Sequence, residues 1–519
     1  MIHIRTSLTV AVAVAILSAS NAVSQGTTPY SVVALSGQQA PGSSGTYNQF
    51  IQPRLTASGL VMIHSHLTAA PSPGQGIWVG SPGALQLVAV SGAPAPAAGD
   101  DVRFKDIDNP VLNDAGQVAF SATLTGTGVT QDNDESLWLR SADGLKLLAR
   151  EGATAPGASG QPWSGFVDLR FGDYFPAFCG PTLNNTGQVV FQGRLRDHGT
   201  GIWLHSSGTV RAIALGSDPA PGAPPGFTYG DFDGSPRLSD SGKLAFEHRH
   251  DGFGIWAGSP ESLQPIALKG NPAPDAGPAT YAWLHSPKLN SSSIVGFSAA
   301  IDTDRALYVG PLDSPRLVAR TGQPAPGMQD RTFDFFLGGP VVYDSGNFAF
   351  EAILNQEPGT KQQSGIWMGS SDALNLIALS GSPAPGLDGV VGNSFSLPQL
   401  CDSGHLLFYA SLTGLGVTQD NDYSLWLRDP SGNLTLILRT GDPFLLPDHS
   451  SRIIKSCAGH DLTRLGDLLL TLNFTDRSSG VFMANIIPEP TTSGFLAAAV
   501  LFLSFRRKSA AQPDANTPT

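Results

Sequence analysis

A chain of 519 residues, 41% apolar, with 60 glycines and 40 prolines, is long enough to bury a large core and has the turn-rich composition of an all-β repeat protein. Only 14% of its residues are charged and the formal net charge is −12. Such a surface repels nucleic acid unless it carries a local basic patch, and the repeats contain none, so nucleic acid is excluded as a partner.

From the N-terminus, Arg5 precedes an apolar run from Leu8 to Leu17 and small residues through Ser24, the layout of a secretory signal peptide over residues 1–24. The run is too short to span a membrane comfortably. The next element, Tyr30 to Ser36, reads as a strand that arrives without the strands it should follow.

The repeating unit is clearest from Leu112 to Gly157. Asn113 and Gly116 occupy the first and fourth positions of a tight turn, which Asn caps and Gly leaves. Val118, Phe120, Ala122 and Leu124 then alternate with small or polar residues, as in a strand with one buried face. A polar loop leads to Leu137–Arg140, a further turn and the run Leu145–Arg150, two more short strands. A proline-containing segment from Gly152 to Gly157 ends the sheet, because proline donates no ladder hydrogen bond. The stretch before the turn, Val102 to Leu112, supplies the fourth strand of the unit.

Eight copies follow from three markers. The third-strand aromatic recurs as Trp78, Trp138, Trp203, Trp256, Tyr308, Trp367, Trp426 and Phe482. The Gly…Ala-Pro closing element begins at Gly37, Gly92, Gly152, Gly216, Gly270, Gly322 and Gly381, with a degraded copy at Gly441. The turn also appears eight times. The chain opens on a fourth strand without the first three and ends near Gly480–Ile486 on a third strand without a fourth. Pairing the two completes the eighth sheet and removes exposed edges, so the expected fold is an all-β, eight-bladed β-propeller over residues 30–486 closed by its N-terminal strand. An open β-solenoid, or a ring with another blade number, is the alternative.

Candidate chemistry is sparse. The string GVTQDND occurs twice, at Gly128–Asp134 and Gly416–Asp422; Asp132 and Asp134, and Asp420 and Asp422, offer oxygen ligands for a hard cation such as Ca²⁺, although Asn and Asp are also ordinary loop residues. No other cofactor is implied. Acids and aromatics near the first strands, namely Asp106 with Asp108, Asp168 with Asp173, Asp231 with Asp233 and Phe335 with Phe336, are expected around the central channel with the GVTQDND loops. There they would bind a sugar or pair as glycosidic carboxylates, against the plainer expectation of inter-blade packing and a hydrated rim. The recurring Trp residues fit inter-blade packing. His248 and His250 alternate on one strand without an evident third metal ligand. Cys179, Cys401 and Cys457 are an odd set for a secreted chain, with buried free thiols the expectation.

Pro488-Glu489-Pro490 precedes an apolar run from Gly494 to Phe505 and then Arg506-Arg507-Lys508, a marginal membrane segment held by a basic stop. The order of these parts over residues 487–508 resembles the PEP-CTERM sorting signal of Gram-negative bacteria, although a polar tail, 509–519, follows. The resemblance implies an apolar sorting helix, recognition by an exosortase-type processing enzyme, transient membrane attachment, and delivery to the cell surface or an exopolysaccharide matrix. The string NxxGxxAF, present as Asn113, Gly116, Ala119 and Phe120 and with substitutions at Asn184–Phe191 and Ser239–Phe246, is similar to the choice-of-anchor tandem-repeat proteins named for it. That family implies surface display and supplies no catalytic residues. The expected function is therefore a non-enzymatic, surface-displayed binding or structural protein with exopolysaccharide or surface proteins as partners; the alternative is an extracellular glycoside hydrolase or lyase acting at the channel face.

Overall fold

The computed structural model describes residues 30–68, 74–166, 180–196, 199–248, 254–356, 359, 361–370, 373–401, 403–463 and 465–486. The signal-peptide region, Asp168, Asp173, Cys179, His250, and the C-terminal segment with Pro488, Glu489, Pro490, Arg506 and Arg507 lie outside the described residues, as does the side chain of Asp233.

The strands form eight antiparallel sheets, one per repeat, in an eight-bladed β-propeller. Blade 2 shows the plan: Arg103–Leu112 lies innermost, followed outward by Val118–Thr125, Glu135–Ser141 and Gly144–Arg150. The closing blade joins both ends of the chain. Ser31–Leu35 pairs with Ser479–Asn485 in the register Val32 to Phe482 and Leu35 to Gly480. Ser36 and Ser479 lock the seam through a 2.9 Å bond from Ser36 N–H to the Ser479 carbonyl and another of 2.9 Å from Ser479 N–H to Ser36 Oγ. The degraded closing element survives as a short strand, Pro443–Leu445, paired with Ser451–Ile453.

Alternation along Val118–Thr125 predicts one buried face, yet Ala119 is as buried as its neighbours Val118 and Phe120. A blade is covered on both sides. Val118 and Phe120 pack with Met62 and Ile77 of blade 1, whereas Ala119 packs with Phe191 and Trp203 of blade 3. Small residues on the second face let the next blade approach.

The third-strand aromatics fill these wedges; Trp78, Trp138, Trp203, Trp256, Tyr308 and Trp367 are all completely buried. Most meet edge-on a ring on the first strand or just before it, as Phe104 meets Trp138 at 5.0 Å and Tyr229 meets Trp256 at 5.2 Å. They also explain the closing element. Trp78, Trp203, Trp256 and Trp367 donate their indole N–H to the carbonyls of Pro41, Pro156, Pro221 and Pro326, and Tyr308 donates its hydroxyl to that of Pro274. A buried indole needs such an acceptor.

The recurrent turn has a second role. Asn113 and Asn184 accept from the backbone N–H of Gln117 and Gln188 within their own turns, while their amides donate to the carbonyls of Asn184 and Ser239 in the next blade at 2.9 and 3.0 Å. The following position repeats the link: Ala57 N–H donates to Asp114, Asp114 N–H to Asn185 and Asn185 N–H to Asp240. These turns form a hydrogen-bonded belt around one end of the channel. Replacing buried Asn184 by Ala is expected to cost about 2–3 kcal/mol in urea unfolding, because its partners lose their bonds in a water-poor site.

Candidate functional site

Seven inner strands carry a proline shortly before the turn: Pro53, Pro110, Pro181, Pro236, Pro287, Pro340 and Pro398. An inner strand has a free edge toward the axis, where the missing N–H of proline is tolerated. The pairing slips at this point, between Ile51 and Arg54, Asp108 and Val111, and His285 and Lys288. Gln52, Asn109 and Ser286, each directly before its proline, take left-handed backbone with φ of 41, 51 and 54°. These bulges turn side chains into the channel.

The channel widens into a cavity of about 1550 Å³ whose wall includes Gln52, Arg54, Asn109, Arg237, Glu247, Trp283, His285, Arg305, Phe335 and Leu337. Trp283 and Leu337 are 48% and 46% exposed, unusual for such large apolar groups. The Trp283 ring lies 5.3 Å from that of His285, and the Arg305 guanidinium sits 4.4 Å from the centre of the Phe335 ring. Glu247 accepts the Ser286 backbone N–H at 2.5 Å, and Asp304 is paired with Arg320. Burial, and then the Arg237 charge, push the Lys288 ammonium down to about 8.

Phe335 and Phe336 line this cavity, and Phe336 is also packed in the core with Leu307 of blade 5, but Asp106, Asp108 and Asp231 are not among the described lining residues. Asp106 accepts from Thr123 Oγ1 at 3.1 Å, Asp108 is exposed on the same strand, and exposed Asp231 lies against Gly199. Asp233 is placed by its backbone alone, opposite Glu247. Arg54, Arg237, Trp283, His285 and Arg305 went unnoticed in the sequence; the inner-strand proline was the signal that could have located the first four.

The GVTQDND loops join second to third strands and therefore sit farther from the axis. The first copy borders a separate depression of about 640 Å³ with Asp100, Asp101, Asp132, Arg150 and Glu151. Its organiser is Asn133, which accepts from Thr130 N–H and donates to the Gly128 carbonyl; Asn421 repeats this with Thr418 and Gly416. Arg150 and Arg439 clamp the two loops through the Asn133 and Asn421 carbonyls. Asp134 and Asp422 use their backbone carbonyls to accept from Leu124 and Leu412. Among the described residues no group of three or more His, Cys, Asp or Glu is arranged to hold a metal ion. His248 packs against Trp256 at 5.1 Å, and Cys401 and Cys457 are free thiols.

Glu351 on blade 6 matches Glu247 on blade 4, each following the second-strand Phe, and its backbone carbonyl holds Leu337 N–H at 3.1 Å. Burial raises its carboxyl from an ordinary 4.5 to about 7. The unfolded chain releases this proton near 4.5, so the contribution of neutral Glu351 is complete below that pH and is lost as pH rises through about 7. Glu351→Gln is expected to raise stability at pH 8 by about 1–3 kcal/mol relative to pH 5, read from denaturation at both pH values.

The family model DUF7453, described as a family of unknown function, matches residues 14–201 and 173–494. No curated protein matches the sequence. Similar solved structures include the β-propeller domain of the Trilobed protease from Pyrococcus furiosus, with 8% identity over 86% of this chain and 96% of that one and a TM-score of 0.40. The Dos1 propeller gives 9% identity, 89% and 96% coverage and a TM-score of 0.42. The polysaccharide lyase Uly1 gives 10%, 87%, 94% and 0.39. The eight sheets and their closure define the fold independently of these likenesses.

Proposed function

We propose, for a chain that belongs to the DUF7453 family of unknown function, a surface-displayed binding protein of the cell envelope or extracellular matrix that takes carbohydrate in its channel cavity. The observation that carries this reading is the exposed Trp283 on the cavity wall beside His285, with Arg305 stacked on Phe335. A flat ring held open to solvent stacks on the apolar face of a sugar, and neighbouring polar groups fix its orientation. Left-handed backbone at Gln52, Asn109 and Ser286, all on the cavity wall, adds support, since such strain collects at functional sites.

The strand directions suit display. The last described residue, Ile486, bonds to Gly466 in the turn belt, so the chain leaves from the belt end, while Trp283 and Arg305 lie toward the opposite end. A chain attached through a PEP-CTERM-type tail and handled by an exosortase would present the cavity outward. The second reading, an extracellular hydrolase or lyase, draws on Glu247 and His285, which share the cavity wall. A glycan array and a glycosidase and lyase screen of the full chain test both. Binding without turnover, reduced at least tenfold by Trp283→Ala, is expected for a stacking contact of roughly 1.4 kcal/mol or more. Sugar release would favour the enzyme, and binding indifferent to Trp283 would remove the cavity as the site.

A further inference from the structure

We infer that the cavity selects an acidic sugar, a pyranose bearing a carboxylate, from a polyanionic polysaccharide; this rests on the carbohydrate reading above and names its ligand class. Trp283, Ala300 and Arg305 occupy one row across three adjacent strands of blade 5, Trp283 paired with Ala300 and Ala300 with Arg305. All three line the cavity. Two strand spacings separate the outer pair by about 10 Å, with only a methyl group between them. The row is a slot with an aromatic wall, a small floor and a cationic wall.

The cationic wall is oriented. Stacking on Phe335 occupies one face of the Arg305 guanidinium and leaves its edge to meet a carboxylate through two parallel N–H bonds. A pyranose resting on Trp283 places a ring carboxylate toward that edge. Arg54 and Arg237 lie farther along the channel wall. Of the two carboxylates on the wall, Asp304 is paired with Arg320, while Glu247 accepts the Ser286 amide and faces the Lys288 ammonium, so the selecting cation is Arg305. An acidic peptide satisfies the arginines but offers no flat apolar face to Trp283.

The test uses the full chain with polygalacturonate, its fully methyl-esterified form and polyglutamate, measured by calorimetry at two salt concentrations. Polygalacturonate is expected to bind, more weakly at high salt, and at least tenfold more tightly than the ester, which keeps the ring and loses the charge. Arg305→Gln should lower polygalacturonate affinity about tenfold and leave the ester unchanged, whereas Trp283→Ala should weaken both. Arg305 is exposed, so the variant is expected to fold, and an unchanged melting curve verifies it. Equal binding of acid and ester, both lost in Trp283→Ala, would overturn the acidic preference and leave the carbohydrate reading standing. Polyglutamate binding as tightly as polygalacturonate would overturn both, and no binding of polygalacturonate would overturn the inference.

Discussion

Deletion of Ser31–Leu35 is expected to destabilise the whole ring by on the order of 6 kcal/mol and to leave a chain that self-associates. The strand buries Val33 and Ala34 and supplies the outer ladder to Ser479–Asn485. Four or so backbone hydrogen bonds at about 1 kcal/mol each, with about 2–3 kcal/mol of apolar burial, give that magnitude. The lost strand also bares the edge of Ser479–Asn485, a template for pairing with another copy. Urea unfolding and sedimentation measure the two effects. A circular permutant that places Tyr30–Ser36 after Ile486 should recover stability, because the sheet needs the strand and not its position in the chain. An unchanged unfolding midpoint in the deletion would show that the seam does not hold the ring.

The second large effect is at Trp256. Its side chain is completely buried against Tyr229, Phe227 and His248, so Trp256→Ala is expected to cost about 4 kcal/mol through the cavity it leaves. Gly254→Ala should come close to it, at about 2–3 kcal/mol, since an added Cβ would sit 2.3 Å from the indole ring. Blades 2 and 7 solve the same problem differently. Ser136 and Ser424 stand where five of the other six blades have Gly and blade 5 has Ala306, and accept the indole N–H of Trp138 and Trp426 at 2.8 Å while donating to the carbonyls of Ala122 and Ala410. Ser136→Ala should therefore cost about 1–3 kcal/mol by stranding a buried indole N–H. Denaturant midpoints rank the three variants. A tolerated Gly254→Ala would mean that the Trp256 ring has room to move.

The change to Ser136 and Ser424 was present in the sequence as SLW in place of GIW, in the two repeats that carry the GVTQDND loop. Its meaning needed the indole geometry. The loops themselves invited a reading by charge, with aspartates as ligands, but the backbone is folded by Asn133 and Asn421, whose amides both accept and donate within one turn. Acids near the first strands were similarly legible as residues, but not their partners. Asp106 finds Thr123 on its own sheet, and the channel wall is taken instead by Arg54, Arg237 and Trp283.

By itself the sequence determined the eight repeats, their strand order and the joining of the two chain ends. These follow from period-two patterning, turn residues and the phase of the repeat, all of which act between near neighbours or as a recurrence along the chain. Only the tertiary structure decided that Asn113 and Asn184 bridge to the following blade, that the tryptophans hold the proline segments, and that Trp283 and Arg305 flank one slot over Ala300. Those contacts join strands and blades distant in sequence, and the side chains facing the axis are set by where each inner-strand bulge falls, which local patterning does not encode.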